Sequence, residues 1–384
     1  MLYRGVADFT LDEGRCPPWL FRRMVKLGRE ILEIIVREEG PDELVRRLAD
    51  PAWFQSLGTV LAFDWNASGL TTVLTAALKE AVRGREKEWG VFICGGKGKT
   101  SLKTPQEIEN WLEKLDRLPE SSDQLAEASR LTAKVDSCLV QDGFQIYHHS
   151  FVFSKNGAWT VVQQGMNTDW GSARRYHWHS QNITDFVNAP HTAITSPVKL
   201  PQVLNLTAAE SKQNRETSTS LVREESYHEL LRDLEIVDKH SGKVSRMVEM
   251  KNKNLQFKFI QLDHREFSTH PVLAENFSRS RYLRKVLWQL SQEKPNDYQD
   301  LLSRPGVGPK TIRALALVAE IIYGAQPSYQ DPARYSFAHG GKDATPYPVD
   351  RQTYDQSIAV FREYIEKTKL SLRDKQALIR RLDT

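Results

Sequence analysis

FQIYHHSFVFSKNGAWTVVQQG, residues 144–165, is the stretch on which the reading of the fold turns. Two runs of β-favouring residues flank Asn156-Gly157, the preferred pair for a two-residue type I′ hairpin. A loop of that length sets Phe151 opposite Val162, Ser150 opposite Gln163 and His149 opposite Gln164. Alternation then sends His148 and Gln163 to one face of the hairpin and His149 and Gln164 to the other. Apolar residues crowd the turn end and polar ones the open end.

Outward from the hairpin the chain reads as helical on both sides. Before it, Trp19, Leu20, Met24, Leu27, Ile31 and Ile34 recur at spacings of three and four after Pro17-Pro18, the pattern of an amphipathic scaffold helix. Residues 89–94 read as a strand that runs into Gly95-Gly96-Lys97-Gly98-Lys99-Thr100. A helix follows from Thr104, where Thr-Pro-Gln-Glu combines a capping box with proline at the first helical position. A further helix is expected over 122–136. After the hairpin, residues 206–220 are polar and poor in large apolar side chains, and mark a boundary. Beyond it Tyr282, Leu283, Val286, Leu287 and Leu290 make one apolar stripe, and Tyr354, Ile358, Phe361 and Ile365 another. The expected fold class is α+β: an N-terminal mixed domain over 1–205, a linker over 206–222 and a mainly helical domain over 223–384.

The 384 residues are 40% hydrophobic and 27% charged, as in a globular protein and unlike a disordered one. The net charge of +4 permits a polyanionic partner without identifying it. Cys16, Cys94 and Cys138 form no C-x-x-C pair, so no disulfide framework or thiolate zinc site is indicated. No apolar run is long enough for a membrane span, and Asp8, Asp12 and Glu13 interrupt the place of a signal peptide, so a cytoplasmic location is expected.

The segment that carries function is 297–324: a short helix, a bend at Arg304-Pro305-Gly306-Val307-Gly308, and a second helix from Pro309 to Gly324. Glycines at 306 and 308 let the main chain approach a ligand closely while Val307 plugs into the core. Proline in the first helical turn loses no hydrogen bond, and the unpaired amides there favour a phosphate. Lys310 and Thr311 would add a cation and a hydroxyl. Such contacts hold duplex DNA by its backbone without reading sequence. Arg279, Arg281, Arg284 and Lys285 extend the same footprint.

Residues 302–315, with Pro305-Gly306-Val307-Gly308-Pro309-Lys310-Thr311, resemble the helix-hairpin-helix of endonuclease III-like DNA glycosylases. Pro348-Val349-Asp350-Arg351 is similar to the Val-Asp pair which that family places before its next helix. The resemblance implies that Lys310 attacks the sugar C1′ of a flipped-out nucleotide and that Asp350 assists departure of the base, with Arg351 beside them on the DNA. A lysine nucleophile needs its pKa lowered, and a carboxylate near C1′ stabilises the developing positive charge. The chain departs from that family in the long interval between the two residues, where 331–347 is an apparent insertion. Over nearly its full length the chain also resembles the prokaryotic domain of unknown function 763. That likeness rests on Pro17-Pro18-Trp19-Leu20, Gly95-Gly96-Lys97-Gly98-Lys99, His148-His149, Gln163-Gln164-Gly165-Met166, Arg174-Arg175-Tyr176-His177-Trp178 and Val349-Asp350-Arg351.

A second polar group gathers in the N-terminal part: Asp142, His148, His149, Gln163, Gln164, Arg174, Arg175, His177 and His179. If residues 170–179 fold back over the open end of the hairpin, these side chains form a pocket for a phosphate, a metal or an acid–base step. Asp142 at a strand start resembles the metal-dependent nucleases, although that pattern's second carboxylate and lysine are missing. Gly95 to Ser101 falls short of a P-loop, because Ile93 stands where the first glycine belongs. The function expected is therefore a DNA-repair glycosylase and AP lyase that needs no cofactor. The alternatives are a nuclease using a divalent metal in the N-terminal domain, and a non-enzymatic DNA-binding protein.

Overall fold

The hairpin forms, one residue out of the expected register. In the computed structural model, which describes residues 16–61, 67–115, 122–169, 171–197, 199–240, 248–252, 255–259, 277–333 and 351–382, β3 (Gln145–Ser154) pairs antiparallel with β4 (Trp159–Asn167). Phe151 lies opposite Val161, Ser150 opposite Val162, His149 opposite Gln163 and His148 opposite Gln164. The Ser154 N–H donates to the Ala158 carbonyl (2.8 Å) and the Gly157 N–H to the Ser154 carbonyl (3.0 Å), so the loop holds three residues rather than two. One residue of slip moves each side chain on one strand to the opposite face relative to the other. His149 and Gln163 therefore share a face, as do His148 and Gln164.

Around this pair stands a five-stranded antiparallel sheet in the order β1-β3-β4-β5-β6, completed by β1 (Val91–Lys97), β5 (Ser172–His179) and β6 (Ala193–Thr195). Residues 172–179 do not fold back over the hairpin; they are an interior strand of the sheet, and Arg174, Arg175, Tyr176, His177 and Trp178 are buried. One face of the sheet packs on α1 (Pro18–Glu39), α2 (Pro41–Ala49), α3 (Pro51–Val60) and α4 (Ala67–Val82) through Val91, Ile93, Val152 and Val162. A four-residue helix, α5 (Glu86–Trp89), leads into β1. The other face carries Phe92, Cys94, Phe151, Phe153, Val161 and Trp178 against α6 (Thr104–Leu112) and α7 (Ser122–Cys138). The expected α+β class is what is found.

The capping box at Thr104 does not form. Thr104 is the first helical residue, its hydroxyl donates to the Ser101 carbonyl, and a 3-10 turn (Gly98–Lys103) precedes it. Glu107 turns instead to the Gly95 N–H (2.8 Å) and the Lys79 ammonium (2.7 Å). Gly95 is held at φ +85°, and a β-carbon there would lie 2.2 Å from the His149 carbonyl oxygen. Gly95→Ala is expected to destabilise the chain by about 2 kcal/mol or more, since it adds a left-handed alanine to a backbone clash. A urea midpoint equal to that of the parent would contradict this.

Residues 206–222, expected as a linker, contain most of α8 (Lys212–Glu224), with Leu221 and Val222 buried. Asn214 Nδ2 donates to the carbonyls of Ala316 (2.9 Å) and Ala325 (2.7 Å), which fastens α8 to α12 (Pro309–Ile321). After α9 (Tyr227–His240) and a separate pair of strands, β8 (Val248–Asn252) and β9 (Leu255–Phe259), come α10 (Arg281–Gln292), α11 (Tyr298–Ser303) and α12. A short pair, β2 (Val140–Gln141) with β7 (Leu204–Asn205), is extended when Asn205 N–H donates to the Ser328 carbonyl. One continuous core runs from Phe92 and Phe151 of the sheet to Val307, Ile312 and Leu315. Phe361, Tyr364 and Ile365 of α13 (Arg351–Lys367) join the core of the first four helices, with Phe361 stacked on Trp53; α14 (Leu372–Leu382) follows. The expected partition at 205 and 223 thus crosses shared cores. Among the described residues no helix is long and apolar enough to cross a membrane.

Candidate functional site

The bend between α11 and α12 is built from both sides. Asp297 caps α11 by accepting from the Asp300 N–H (2.7 Å), and Leu301 and Leu302 are fully buried. Lys134 of α7 reaches the other end and donates to the carbonyls of Leu302 (2.6 Å) and Arg304 (3.1 Å), meeting the otherwise open C-terminus of the helix. Val307 is buried as expected, and its N–H closes a turn on the Arg304 carbonyl (3.2 Å). Gly306 sits at φ +81°, exposed, and its carbonyl accepts from the Tyr282 hydroxyl (2.7 Å). That bond accounts for Tyr282, which leaves the apolar stripe of α10 and is 58% exposed. A β-carbon on Gly308 would meet nothing within 4 Å, so the space before the first turn of α12 is open. The first turn there begins with the Ile312 N–H bonded to the Gly308 carbonyl (3.1 Å), and no side chain caps it.

Of the side chains assigned to this bend, Lys310 is half-buried, with Nζ 5.8 Å from the centre of the Phe277 ring. Thr311 differs from expectation: it is fully buried and its hydroxyl has no hydrogen-bond partner, so it faces the core and not a ligand. Helical spacing carries Thr311 inward with Ile312 and Leu315. Asp350 lies outside the described residues, and Arg351 opens α13 with its side chain outside them. Arg279, Arg281, Arg284 and Lys285 are exposed on and just before α10.

The N-terminal polar residues do not converge on a pocket. The sheet separates them into two buried layers, because strand neighbours alternate in direction. Towards α3 and α4, His148 Nε2 bonds the Thr75 hydroxyl (3.1 Å), Gln164 donates to the Ser68 carbonyl (3.0 Å), and Arg175 donates to the Thr71 hydroxyl (3.1 Å) and Gln55 (3.2 Å). His177 packs edge-on against Phe54, and His179 Nδ1 meets Thr160 and the Trp159 carbonyl. Burial, with the charges of His149, Lys97 and Arg175 adding to it, pushes the His148 pKa down to about 3.

Towards α7 lie two further sets. Arg174 donates to Asp142 (3.0 Å) and spans both oxygens of Asp331 (2.9 and 2.8 Å), and the three side chains are sealed from solvent. Asp142 also accepts from the Phe144 N–H (3.0 Å) and the Tyr176 hydroxyl (2.7 Å). Both its oxygens are committed, which removes it as a metal ligand. Among the described residues no group of three or more His, Cys, Asp or Glu could hold a metal ion.

The second set begins at Ser129, whose hydroxyl bonds His149 Nε2 (2.9 Å). His149 Nδ1 meets Gln163 Oε1 (2.9 Å), and Gln163 Nε2 donates to Asp136 Oδ2 (2.5 Å). Burial lowers the His149 pKa to about 4 against the opposing pull of Gln163. Asp136 also accepts from Trp178 Nε1 (3.0 Å), and its Oδ1 is 2.5 Å from His191 Nε2. Burial raises the Asp136 carboxyl, and His191 and Trp178 oppose that rise. Neither Asp136 nor His191 stands out in the sequence, being 55 residues apart. The available signal is the polar spacing Ser129, Thr132, Asp136 on an otherwise apolar face of α7, three side chains all buried against the sheet.

Residues 5–349 match the family described as protein of unknown function, DUF763. The chain belongs to the DUF763 family. No curated protein and no solved structure gives a significant match. The DUF763 match takes in the whole five-stranded sheet, the bend and α12, and ends just before α13. The features that suggested the family are spread over it: Trp19 and Leu20 open α1, Gly95 to Lys97 end β1, and the His-His and Gln-Gln pairs face each other across β3 and β4.

Proposed function

We propose that this chain is a DNA-repair enzyme that grips duplex backbone at the bend over residues 304–308 and removes a damaged or modified base. The observation that carries the reading is the main-chain corner at Gly306 and Gly308, open at Gly308 and bonded at the Gly306 carbonyl to Tyr282 of α10, the helix that carries the exposed cations Arg281, Arg284 and Lys285. Amides at a helix start and a basic neighbouring face suit a phosphodiester, and the contact needs no base reading. The catalytic part follows the resemblance to endonuclease III-like glycosylases: Lys310 forms a Schiff base with C1′ and Asp350 supports departure of the base, as a glycosylase and AP lyase. The partial burial of Lys310 against the Phe277 ring is in keeping with that role.

Two measurements test the two parts. Duplex binding followed by fluorescence anisotropy is expected to weaken with salt, with a log–log slope of about −0.9 per phosphate contacted. Gly308→Val, at a position with open space around it, is expected to weaken it about tenfold, ~1.4 kcal/mol. Duplex affinity unchanged in that folded variant would end the reading. Borohydride should trap a covalent adduct on an abasic or lesion-bearing duplex, and Lys310→Ala should abolish it. Binding without any adduct or product would leave a DNA-binding protein and remove the enzyme. The metal-dependent nuclease reading loses its named residue, since Asp142 is spent on Arg174, Tyr176 and Phe144.

A further inference from the structure

We propose that the outer face of α10 is a platform for unpaired bases, on which Trp288 stacks a nucleotide of a single strand while Arg281, Arg284 and Lys285 hold its phosphates. This platform deepens the grip proposed for the bend and rests on it: the two together take DNA in which a duplex passes into a single strand.

Helical spacing divides α10 into two faces. Leu283, Val286, Leu287 and Leu290 are at most 2% exposed and are spent on the core. On the opposite side Arg281, Lys285 and Trp288 stand at i, i+4 and i+7 along one exposed ridge, with Arg284 one turn before Trp288. Trp288 is 53% exposed, and among the described residues no ring or cation lies against its indole. That ring is therefore open to a ligand in the middle of a basic face.

The three cations work against the stability of their own helix. All fall within its first five residues, where the partial positive charge of a helix start repels them, and the first turn holds no acid. Arg281 faces Arg284 at i,i+3 and Lys285 at i,i+4, a like-charge spacing that destabilises a helix. Among the described residues none of the three is paired with a carboxylate. Of the acids that follow, Glu293 and Asp300 meet Arg304 (3.7 and 3.0 Å), and Asp297 caps α11. Three uncompensated charges on one face suit a polyanion.

The indole selects the kind of polyanion. A lipid surface is disfavoured, because the apolar stripe of α10 is buried in the core and one exposed ring offers too little apolar area to anchor a helix in a bilayer. Paired bases hide their π faces within the stack, whereas an unpaired base presents one, and stacking on an aromatic ring among cations holds single strands without reading sequence. The bend packs on the same helix: the Tyr282 hydroxyl donates to the Gly306 carbonyl (2.7 Å), and a β-carbon on Gly306 would lie 3.0 Å from Val286 Cγ2. Trp288 stands six residues beyond Tyr282, about 9 Å along the helix axis, the span of about three base steps. One strand can therefore pass from the bend to the platform.

The test is fluorescence anisotropy of the full chain on three labelled DNAs: a blunt duplex, the same duplex with a single-stranded thymidine tail, and the same duplex with an abasic tail of equal length. At equal phosphate count the parent is expected to bind the thymidine tail about tenfold more tightly than the abasic one, the range for one stacked base. Trp288→Ala should erase that difference and leave the blunt duplex unchanged, and Trp288→Phe should keep most of it. Arg281→Glu should weaken binding to both tails while raising the urea midpoint, opposite movements that a purely structural arginine would not give. Equal affinity of the parent for the two tails, binding to neither, a thymidine preference that survives Trp288→Ala, or tail binding untouched by Arg281→Glu overturns the proposal. So does displacement of the tailed DNA by anionic vesicles or polyglutamate as readily as by oligothymidylate at matched charge. The bend is read on the blunt duplex through Gly308→Val and the platform on the difference between tails through Trp288→Ala, so failure of one is distinct from failure of the other.

Discussion

Acidification from pH 7 to pH 4 is expected to remove about 3 kcal/mol of stability through each of His148 and His149. Both are fully buried, with pKa values lowered to about 3 and about 4 in the folded chain. In the unfolded chain each titrates near the ordinary value of about 6.5. Between those limits the unfolded state binds a proton that the folded state refuses, so each group favours unfolding as the pH falls below about 6.5. The effect is absent above that pH and levels off once the folded histidine itself becomes charged. Carboxylates titrate in the same range, so the comparison that isolates the histidines is the parent against His148→Gln with His149→Gln. Urea unfolding at pH 7, 5.5 and 4 should show a much flatter profile for the double variant. Parallel profiles would mean that these imidazoles are charged or hydrated in the native state.

Replacing Arg174 is expected to be the most damaging single change on the α7 side of the sheet. The guanidinium bridges Asp142 and Asp331 with no solvent access to any of the three side chains. Breaking a buried ion pair from one side leaves uncompensated charge, and such changes typically destabilise by about 3–5 kcal/mol. Here two carboxylates are stranded together, so Arg174→Met should reach that range. Adding Asp142→Asn and Asp331→Asn should recover a substantial part, because the desolvated charges are then gone although the shape is kept. Urea midpoints of the single and triple variants decide the matter; a single variant within about 1 kcal/mol of the parent would refute the charge argument. Asp331 is also a structural clamp between segments far apart in sequence, since it accepts the Leu200 N–H and the Ala333 N–H (2.6 and 2.9 Å).

Local chemistry along the chain specifies much of the architecture. The amphipathic spacing of Met24, Leu27, Ile31 and Ile34 places α1, the Asn-Gly loop places the hairpin, and Leu283, Val286, Leu287 and Leu290 place α10 on its buried side. Val307 between two glycines was also legible as a plug, because a small bend with one apolar side chain has few ways to be satisfied. Tyr282 departs from the apolar stripe: its position follows the helical period, but its hydroxyl donates to the Gly306 carbonyl, and that partner lies 24 residues away.

What sequence periodicity settled was which segments become helix or strand and where they turn, since those choices depend on neighbours a few residues apart. What it could not reach was set by pairing over distance. Whether the loop after Ser154 holds two residues or three decides which glutamine of β4 shares a face with His148 and which with His149, and that rests on the bonds Ser154 makes with Ala158 and Gly157. Residues 172–179 look like a polar surface strip until a strand pairs on either side; enclosed between layers of helix, the same residues become buried hydrogen-bond networks. Asp136 and His191 meet because the sheet carries Trp178 and Gln163 up to α7, and no spacing rule along the chain encodes a contact made by stacking layers.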